Sequence, residues 1–227
     1  MRTALRIVLL LALAAALLLG GPIFLPNTPL PDAWNPRVPL DLANPATPVT
    51  RFKMQRAFAS GAACRAALAT GAEFVQVPDR TEGTQCGIKD AVRLTSVGGA
   101  ALRAVETRCQ TALRLALWHR HGLAPDARAT FGTDIAEILH QSSYNCRAIR
   151  GSTRISTHAT AEAIDVRGFR LANGRTLTLV ADWETEPFLR RAQSSACRWF
   201  VTVLGPDYNA LHADHFHMQH TGWGTCR

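Results

Sequence analysis

Residues 156–165 read STHATAEAID, which places His158 and Asp165 seven residues apart at the start of an apolar segment. Asp165 lies between Ile164 and Val166, within a run that predicts a strand from Ala163 to Phe169. A buried carboxylate that lacks a cation or hydrogen bonds costs free energy. The pattern therefore predicts that Asp165 has a positively charged or hydrogen-bonding partner.

Histidines further along the chain are candidate partners for Asp165. Four of the eight lie in one window, namely His212, His215, His217 and His220. Alternate residues of a strand share a face, so His215 and His217 are expected to point the same way. Imidazole and carboxylate are ordinary zinc ligands, and three of them with one open position are typical of catalytic zinc. The two segments together predict a zinc site.

Two short motifs carry a resemblance to known families. Residues 156–165 are similar to the S-x-H-x-x-G-x-A-x-D motif of zinc D-Ala-D-Ala carboxypeptidases. Residues 214–217, DHFH, are similar to the E-x-W-H element of those enzymes and to the H-x-H element of murein endopeptidases. These enzymes share a fold with the zinc-bearing signalling domain of hedgehog proteins.

Most of residues 50–227 resembles the bacterial extensin-like C-terminal domain family more closely. The matching stretches are Thr50-Arg51-Phe52-Lys53, Ser143-Tyr144-Asn145-Cys146-Arg147, Gly168-Phe169, Ala196-Cys197-Arg198-Trp199-Phe200, Leu204-Gly205-Pro206-Asp207-Tyr208-Asn209-Ala210 and Cys226-Arg227. The resemblances imply that the zinc ligands are His158, Asp165 and His217. They also imply a water in the fourth position, whose pKa zinc lowers toward about 7.

The same resemblances imply three residues for the reaction itself. His215 corresponds to the first histidine of the endopeptidases, and Asp214 to the glutamate of the carboxypeptidases. We rank His215 first as general base, because on a regular strand only His215 shares the face of the ligand His217. Arg147 corresponds to an arginine that binds the substrate carboxylate or stabilises the oxyanion.

This sequence departs from the family patterns at two positions. Ala161 stands where the carboxypeptidase motif has glycine, a small change that is expected to preserve close packing. Gln219 stands where the extensin-like pattern has aspartate. If that residue orients a metal-binding histidine, the exchange is expected to weaken metal binding by about 10- to 100-fold.

Composition divides the chain into three parts. Residues 1–25 hold a run of 19 residues from Ile7 to Leu25 without charge, behind Arg2 and Arg6. This is typical of a membrane anchor with a cytoplasmic N-terminus, or of a cleaved signal peptide. Residues 26–49 form a proline-rich linker, and residues 50–227 the extensin-like zinc-binding domain. We therefore expect the domain to lie in the periplasm, held at the inner membrane, or to be secreted.

The cysteines support export independently. There are six and no C-x-x-C pair, which favours disulfides over thiolate zinc sites. Proximity along the chain predicts a Cys64–Cys86 pair. The formal net charge is +8, but only two of the 25 basic residues are lysines and no basic run is interleaved with aromatics, so nucleic acid is excluded as a partner.

Periodicity predicts an α+β domain with an antiparallel sheet and flanking helices, stapled by disulfides. The resemblance adds a hedgehog or D-Ala-D-Ala-peptidase-like fold. Helices are expected from Arg56 to Leu68, from Val105 to Leu117 and from Thr185 to Val203. Strands are expected at Ala129 to Gly132, Tyr144 to Ile149, Ala163 to Phe169, Thr176 to Val180 and Ala213 to Gln219. Asn173-Gly174 predicts a hairpin turn between two of them.

These features favour a zinc-dependent peptidase that acts on peptidoglycan or its stem peptides, of the D-Ala-D-Ala carboxypeptidase or endopeptidase type. The alternative is a zinc-stabilised module that binds the cell envelope without turnover. A third hypothesis is a disulfide-stapled structural protein without a metal. The N-terminal segment makes the membrane a second expected partner.

Overall fold

The computed structural model describes residues 5–14 and 30–227. Most of the predicted anchor or signal segment, residues 1–25, lies outside the described residues, as do residues 26–29 of the predicted linker. Residues 5–14 are helical. Within the described ranges, no helix has the length and apolar character needed to cross a membrane.

The domain contains short helices and strands in alternating groups. Its α-helices are Thr50–Ala57 (α1), Gly61–Leu68 (α2), Cys109–Trp118 (α3), Ala124–Phe131 (α4), Leu179–Asp182 (α5) and Pro187–Ala196 (α6). Its strands are Ala72–Gln76 (β1), Arg80–Glu82 (β2), Cys86–Ile88 (β3), Ala91–Val97 (β4), Ala100–Arg108 (β5), Ile135–His140 (β6), Ala163–Leu171 (β7), Thr176–Thr178 (β8), Thr202–Leu204 (β9) and Phe216–Gln219 (β10).

An eight-stranded sheet organises the domain. Its strand order is β1-β4-β5-β6-β7-β10-β9, and β8 pairs with β7 beside this path. Neighbours run antiparallel except β5 and β6, which are parallel. β2 and β3 form a separate two-stranded sheet. The predicted α+β class with a mostly antiparallel sheet and flanking helices is therefore confirmed.

Helix α3 forms the centre of the core. Every residue of α3 except Gln110 is buried, including the polar Thr111 and Arg114, so the helix is packed on all sides. At its end, the Trp118 ring meets Phe169 of β7 edge to face at 5.9 Å, and Phe169 meets Phe188 of α6 at 5.8 Å. These contacts fix β7, which carries Asp165, against both helices.

Part of the predicted linker contributes to this core. Leu40 and Leu42 are 5% and 3% exposed and belong to the main hydrophobic cluster. Lys53 donates a hydrogen bond to the backbone oxygen of Asp32, and Arg120 donates one to the backbone oxygen of Leu42. The described part of the proline-rich segment therefore packs against the domain instead of standing away from it.

Two helix predictions were wrong at their ends. Residues 105–108 continue β5, because they pair with β4, and the helix begins only at Cys109. The helix predicted to reach Val203 ends at Ala196, because Val203 pairs with β10 as part of β9. The helix predicted from Arg56 to Leu68 is divided at Ser60, whose hydroxyl caps the start of α2.

Two strand predictions were also wrong. Residues 129–131 end helix α4, and Gly132 terminates it with a left-handed φ of 65°. Residues 144–149 form a loop with a single bridge between Ala148 and Ile155. The remaining three strands are confirmed as β7, β8 and β10, with shorter bounds for the last two, and the Asn173-Gly174 hairpin joins β7 to β8.

Three disulfides staple the domain, and no cysteine is free. The predicted Cys64–Cys86 pair was wrong. The pairs are Cys64–Cys109, Cys86–Cys146 and Cys197–Cys226. Cys64 lies on α2 and faces α3, whereas Cys86 lies on β3 and is bonded to the loop after β6. The packing of these elements, and not the distance along the chain, therefore determines which cysteines pair.

A buried histidine makes the stability of the fold depend on pH. His119 is 3% exposed, and burial, followed by the charge of Arg128, lowers its pKa to about 4. As the pH falls, the imidazole takes up a proton in the unfolded chain before it does so in the folded chain. Neutral His119 therefore stabilises the fold fully above about pH 6.5, and this stabilisation is lost as the pH falls toward 4. We expect His119 to account for about 3 kcal/mol of the free energy of unfolding lost over this range.

Urea denaturation at a series of pH values measures this loss. The His119→Gln variant, which cannot take up the proton, should show a correspondingly flatter pH dependence. Equal slopes for the two proteins would contradict the assignment to His119.

Candidate metal centre

Strand pairing brings the two predicted segments together. In the antiparallel β7–β10 pair, His217 lies directly opposite Asp165. His158 lies in a single 3₁₀ turn just before β7, and Ser156 caps that turn by accepting a hydrogen bond from the His158 backbone. The turn ends at Ala161, so the chain reverses and His158 faces the strand that follows it.

Ala161 makes this reversal with a left-handed φ of 51°. Glycine adopts this conformation without strain, whereas a residue with a β-carbon does not. The methyl group of Ala161 is fully buried beside Ile88 and Ala91. The expectation of close packing thus holds, although the alanine backbone is in a conformation that costs about 1–2 kcal/mol.

Three side-chain atoms meet at one point. His158 Nε2 lies 3.1 Å from Asp165 Oδ1 and 3.0 Å from His217 Nδ1, and the latter lies 2.9 Å from Asp165 Oδ1. His158 and Asp165 are buried, and the His217 side chain is 12% exposed. These are the three residues predicted as metal ligands.

Neighbouring oxygens fix which nitrogen of each imidazole carries a proton. His158 Nδ1 lies 2.7 Å from the backbone oxygen of Ser143, and His217 Nε2 lies 2.9 Å from Gln219 Oε1. Both oxygens can only accept, so both nitrogens donate. In the neutral rings, His158 Nε2 and His217 Nδ1 therefore present lone pairs toward the Asp165 carboxylate. Three acceptors face one another, an arrangement that calls for a cation.

The geometry fits a small divalent ion. Zinc bonds of about 2.0–2.1 Å in a tetrahedron separate the ligand atoms by roughly 3.4 Å. The three observed separations, between 2.9 and 3.1 Å, need to widen by only a few tenths of an ångström. Among the described residues, this group of three has ligand atoms that all lie within 4.8 Å of one another.

The pKa shifts within the cluster also favour a cation at this position. Burial on its own would raise the pKa of Asp165, but the hydrogen bonds and charges of His158 and His217, when the nitrogens facing Asp165 are protonated, outweigh it and hold that pKa well below its usual value. Burial on its own would lower the pKa of His217, but the hydrogen bond and charge of Asp165 raise it. Without a metal, a proton on His217 balances the buried carboxylate, and metal binding would displace that proton.

His215 and Asp214 form a pair at the edge of this cluster. His215 Nδ1 lies 2.7 Å from Asp214 Oδ1, to which it donates, and His215 Nε2 lies 3.6 Å from Asp165 Oδ1. Gln141 donates a hydrogen bond to the other oxygen of Asp214. Sequence analysis treated Asp214 and His215 as rivals, whereas here the carboxylate orients the imidazole and leaves its Nε2 facing the candidate metal ligands.

Arg147 lies in the loop between β6 and the 3₁₀ turn. Its side chain is exposed, and its positive charge lowers the pKa of His217, which places the guanidinium within electrostatic reach of the cluster. The Cys86–Cys146 disulfide holds the residue before it. The structure thus leaves the Arg147 guanidinium available to an anionic group near the site.

Sequence analysis named Gln219 as a position that could orient a histidine, but it did not find the group that orients His158. Gln219 Oε1 accepts hydrogen bonds from His217 and from Thr157 Oγ1, while its Nε2 donates to the backbone oxygen of Thr221. These contacts determine which way the amide faces. The oxygen that holds His158 belongs to the backbone of Ser143, so no residue type in the sequence could have indicated it.

Replacing Gln219 with alanine is expected to lower zinc affinity by about 10- to 100-fold, because His217 then loses the acceptor that fixes its tautomer and ring orientation. Competition with a chromophoric chelator measures the dissociation constant. Gln76→Ala, at an exposed position of β1, is the matched control and should bind zinc as the unmodified chain does. An unchanged affinity for Gln219→Ala would exclude an orienting role.

Fold and site together define a disulfide-stapled α+β protein with a candidate two-histidine, one-aspartate metal centre on its sheet. The family model of the extensin-like protein C-terminus matches residues 62–227, so the chain belongs to this family. No curated protein and no solved structure matches the chain. The predicted family resemblance is confirmed over these residues.

Proposed function

We propose that this chain is a zinc-dependent peptidase that cleaves the stem peptides of peptidoglycan, as a D-Ala-D-Ala carboxypeptidase or an endopeptidase. The observation that carries the proposal is the convergence of His158 Nε2, Asp165 Oδ1 and His217 Nδ1 within 3.1 Å of one another. Buried lone pairs that face one another are costly unless a cation joins them. Three protein ligands leave a fourth position for a reactant.

The chemistry of a peptidase needs few further groups. Zinc held by these residues would lower the pKa of a water toward about 7 and polarise the scissile carbonyl. His215 Nε2 receives the proton and later returns it to the leaving amine. Asp214, which accepts from His215 Nδ1, keeps the imidazole in the required tautomer and stabilises its protonated form.

Arg147 gives the site a means of recognising its substrate. A D-Ala-D-Ala terminus ends in a carboxylate, and the planar guanidinium is suited to bind it with two parallel hydrogen bonds. The residue is exposed and close enough to influence His217. Binding there would place the preceding peptide bond beside the zinc ligands.

The proposed location is the periplasm. Three disulfides are typical of proteins that fold in an oxidising compartment outside the cytoplasm. The apolar run Ile7 to Leu25 is the proposed anchor in the inner membrane, or the signal that directs secretion. Either arrangement gives the site access to peptidoglycan.

The test combines metal analysis with digestion of sacculi. The full chain, expressed by export and purified in mild detergent, should contain about one zinc per molecule. Incubated with purified sacculi, it should release D-alanine or shorter muropeptides. A chelator should stop the release, and added zinc should restore it. A zinc-loaded protein that releases neither product, beside an active hydrolase as positive control, would refute the peptidase.

One distance supports the alternative, a zinc-stabilised module that binds the envelope without turnover. His215 Nε2 lies 3.6 Å from Asp165 Oδ1, close to the spacing of two ligands on one tetrahedral ion. If His215 were a fourth ligand, the site would be closed and structural. The two functions therefore differ in whether zinc binding needs His215.

A further inference from the structure

A second group of polar side chains surrounds a cavity far along the sheet from the metal ligands. The cavity has a volume of about 320 Å³ and lies at the turn between β4 and β5. Leu42, Gly98, Ala116, His119, Arg120 and Arg128 are among the residues that line it. In the sheet order, β6 separates β4 and β5 from the strands that carry Asp165 and His217, and the two sites share no residue.

His119 is the unusual residue of this cavity. Its side chain is 97% buried, since 3% of the residue is exposed, yet among the described residues neither ring nitrogen has a hydrogen-bond partner. Buried polar groups in folded proteins nearly always have one. Burial keeps the imidazole neutral, because it lowers the pKa to about 4. The ring therefore has one N–H donor and one lone pair that the protein leaves unused, although neither nitrogen is accessible to solvent in this conformation.

The backbone around His119 departs from regular geometry. His119–Leu123 is a π-helical segment between α3 and α4, and such segments occur frequently at functional sites. Gly98 has a positive φ of 57°, and a β-carbon at this position would collide with His119 Nδ1. A glycine in the β4–β5 turn is thus what allows the turn to approach the imidazole.

Two guanidinium groups make the cavity positive. Arg120 is held by hydrogen bonds to the backbone oxygens of Leu42 and Ala43, and Arg128 pairs with Asp134 at 2.5 Å. The two positive charges are therefore balanced by one negative charge, that of Asp134. The rest of the wall includes the apolar side chains of Leu42 and Ala116. Positive charge beside an apolar wall suits an anion on a hydrocarbon body better than a fully polar anion such as phosphate.

We propose that this cavity is a second binding site, which takes a small molecule with a carboxylate group. The arginines attract the carboxylate, the buried imidazole of His119 lies in the wall of the cavity, and the apolar side chains cover the hydrocarbon part. The proposal is independent of the metal centre and of the proposed peptidase activity.

Nitrogen NMR of the full chain, labelled with ¹⁵N-histidine and held in mild detergent, tests the site. His119→Gln identifies the His119 ring resonances by their loss. Propionate, added up to about 10 mM, should move these resonances and saturate. Propionamide, which has the same shape without the charge, should not move them at the same concentration.

Two variants locate the effect. Arg128→Gln should weaken propionate binding about tenfold or more, because it removes one charge-assisted partner. Ala43→Phe, at an exposed position at the rim, should reduce binding by obstruction while leaving the core intact. The proposal is overturned if propionate leaves His119 unmoved, if both variants bind it unchanged, or if inorganic phosphate binds equally well.

Discussion

Asp165→Asn is expected to abolish the stabilisation of the protein by zinc while leaving the metal-free fold intact. The substitution removes the only anionic ligand of the three and its negative charge, and we expect zinc affinity to fall at least about 1000-fold, or about 4 kcal/mol. In the metal-free variant, the asparagine amide can still donate to a histidine lone pair, so the buried cluster needs no proton on His217.

Thermal unfolding gives this prediction a numerical form. With free zinc at about 1000 times its dissociation constant, the free energy of unfolding of the unmodified chain rises by about 4 kcal/mol. For a chain of this length, that corresponds to a rise in Tm of about 10 °C. The Asp165→Asn variant should show no rise at the same zinc concentration, and its Tm without zinc should stay within a few degrees of the unmodified chain.

Asp134→Asn is the matched control, because Asp134 pairs with Arg128 at the surface, where such a pair contributes little. Its zinc-induced rise should equal that of the unmodified chain. If Asp165→Asn kept the full rise, zinc would be bound elsewhere and the candidate centre would lose its basis. If its metal-free form failed to fold, the carboxylate would instead be required by the fold itself.

The three residues that the resemblance implies as metal ligands do converge, and each lies in a short segment that the sequence already marks. His158 and Asp165 are seven residues apart, and His217 lies in a strand with its own alternation. What joins the segments is the β7–β10 pairing, and strand pairing between residues about fifty positions apart is set by the whole sheet. The class of the fold followed from hairpin and helix patterns, but the order of the strands did not.

The errors have a common physical origin. Val105 and Val203 fit a helical period as well as a strand, and pairing with neighbouring strands decided both in favour of strand. The strands β1 to β6 and β9 were not predicted, and in β4 burial alternates only partly along the strand. The predicted Cys64–Cys86 pair was wrong because Cys64 packs against α3, a contact that no local pattern indicates.

Replacing His215 with alanine is expected to lower kcat/KM for a synthetic stem peptide by about 10²- to 10⁴-fold, the usual contribution of a positioned general base. The loss should appear in kcat, because His215 Nε2 contacts the reacting water and leaving group and not the remainder of the substrate. Zinc content should stay at about one per molecule, since His158, Asp165 and His217 all remain.

The Asp214→Asn variant tests the carboxylate that orients His215. The asparagine can keep a hydrogen bond to His215 Nδ1, but it no longer stabilises the protonated imidazole, so a smaller loss of kcat is expected than for His215→Ala. His121→Ala is the control histidine, because its ring packs against Trp199 and takes no part in the cluster. It should retain both zinc and activity.

Zinc retention decides between the two functions that the geometry allows. With three ligands and an open position, His215→Ala keeps the metal and loses turnover, because only proton transfer depends on the imidazole. With His215 as a fourth ligand, the same substitution lowers zinc affinity and the zinc-induced rise in Tm together. The 3.6 Å separation of His215 Nε2 from Asp165 Oδ1 allows either arrangement, but the hydrogen bond that His215 Nδ1 donates to Asp214 holds the ring as a base requires. Loss of zinc from His215→Ala would therefore end the peptidase mechanism, whatever the family.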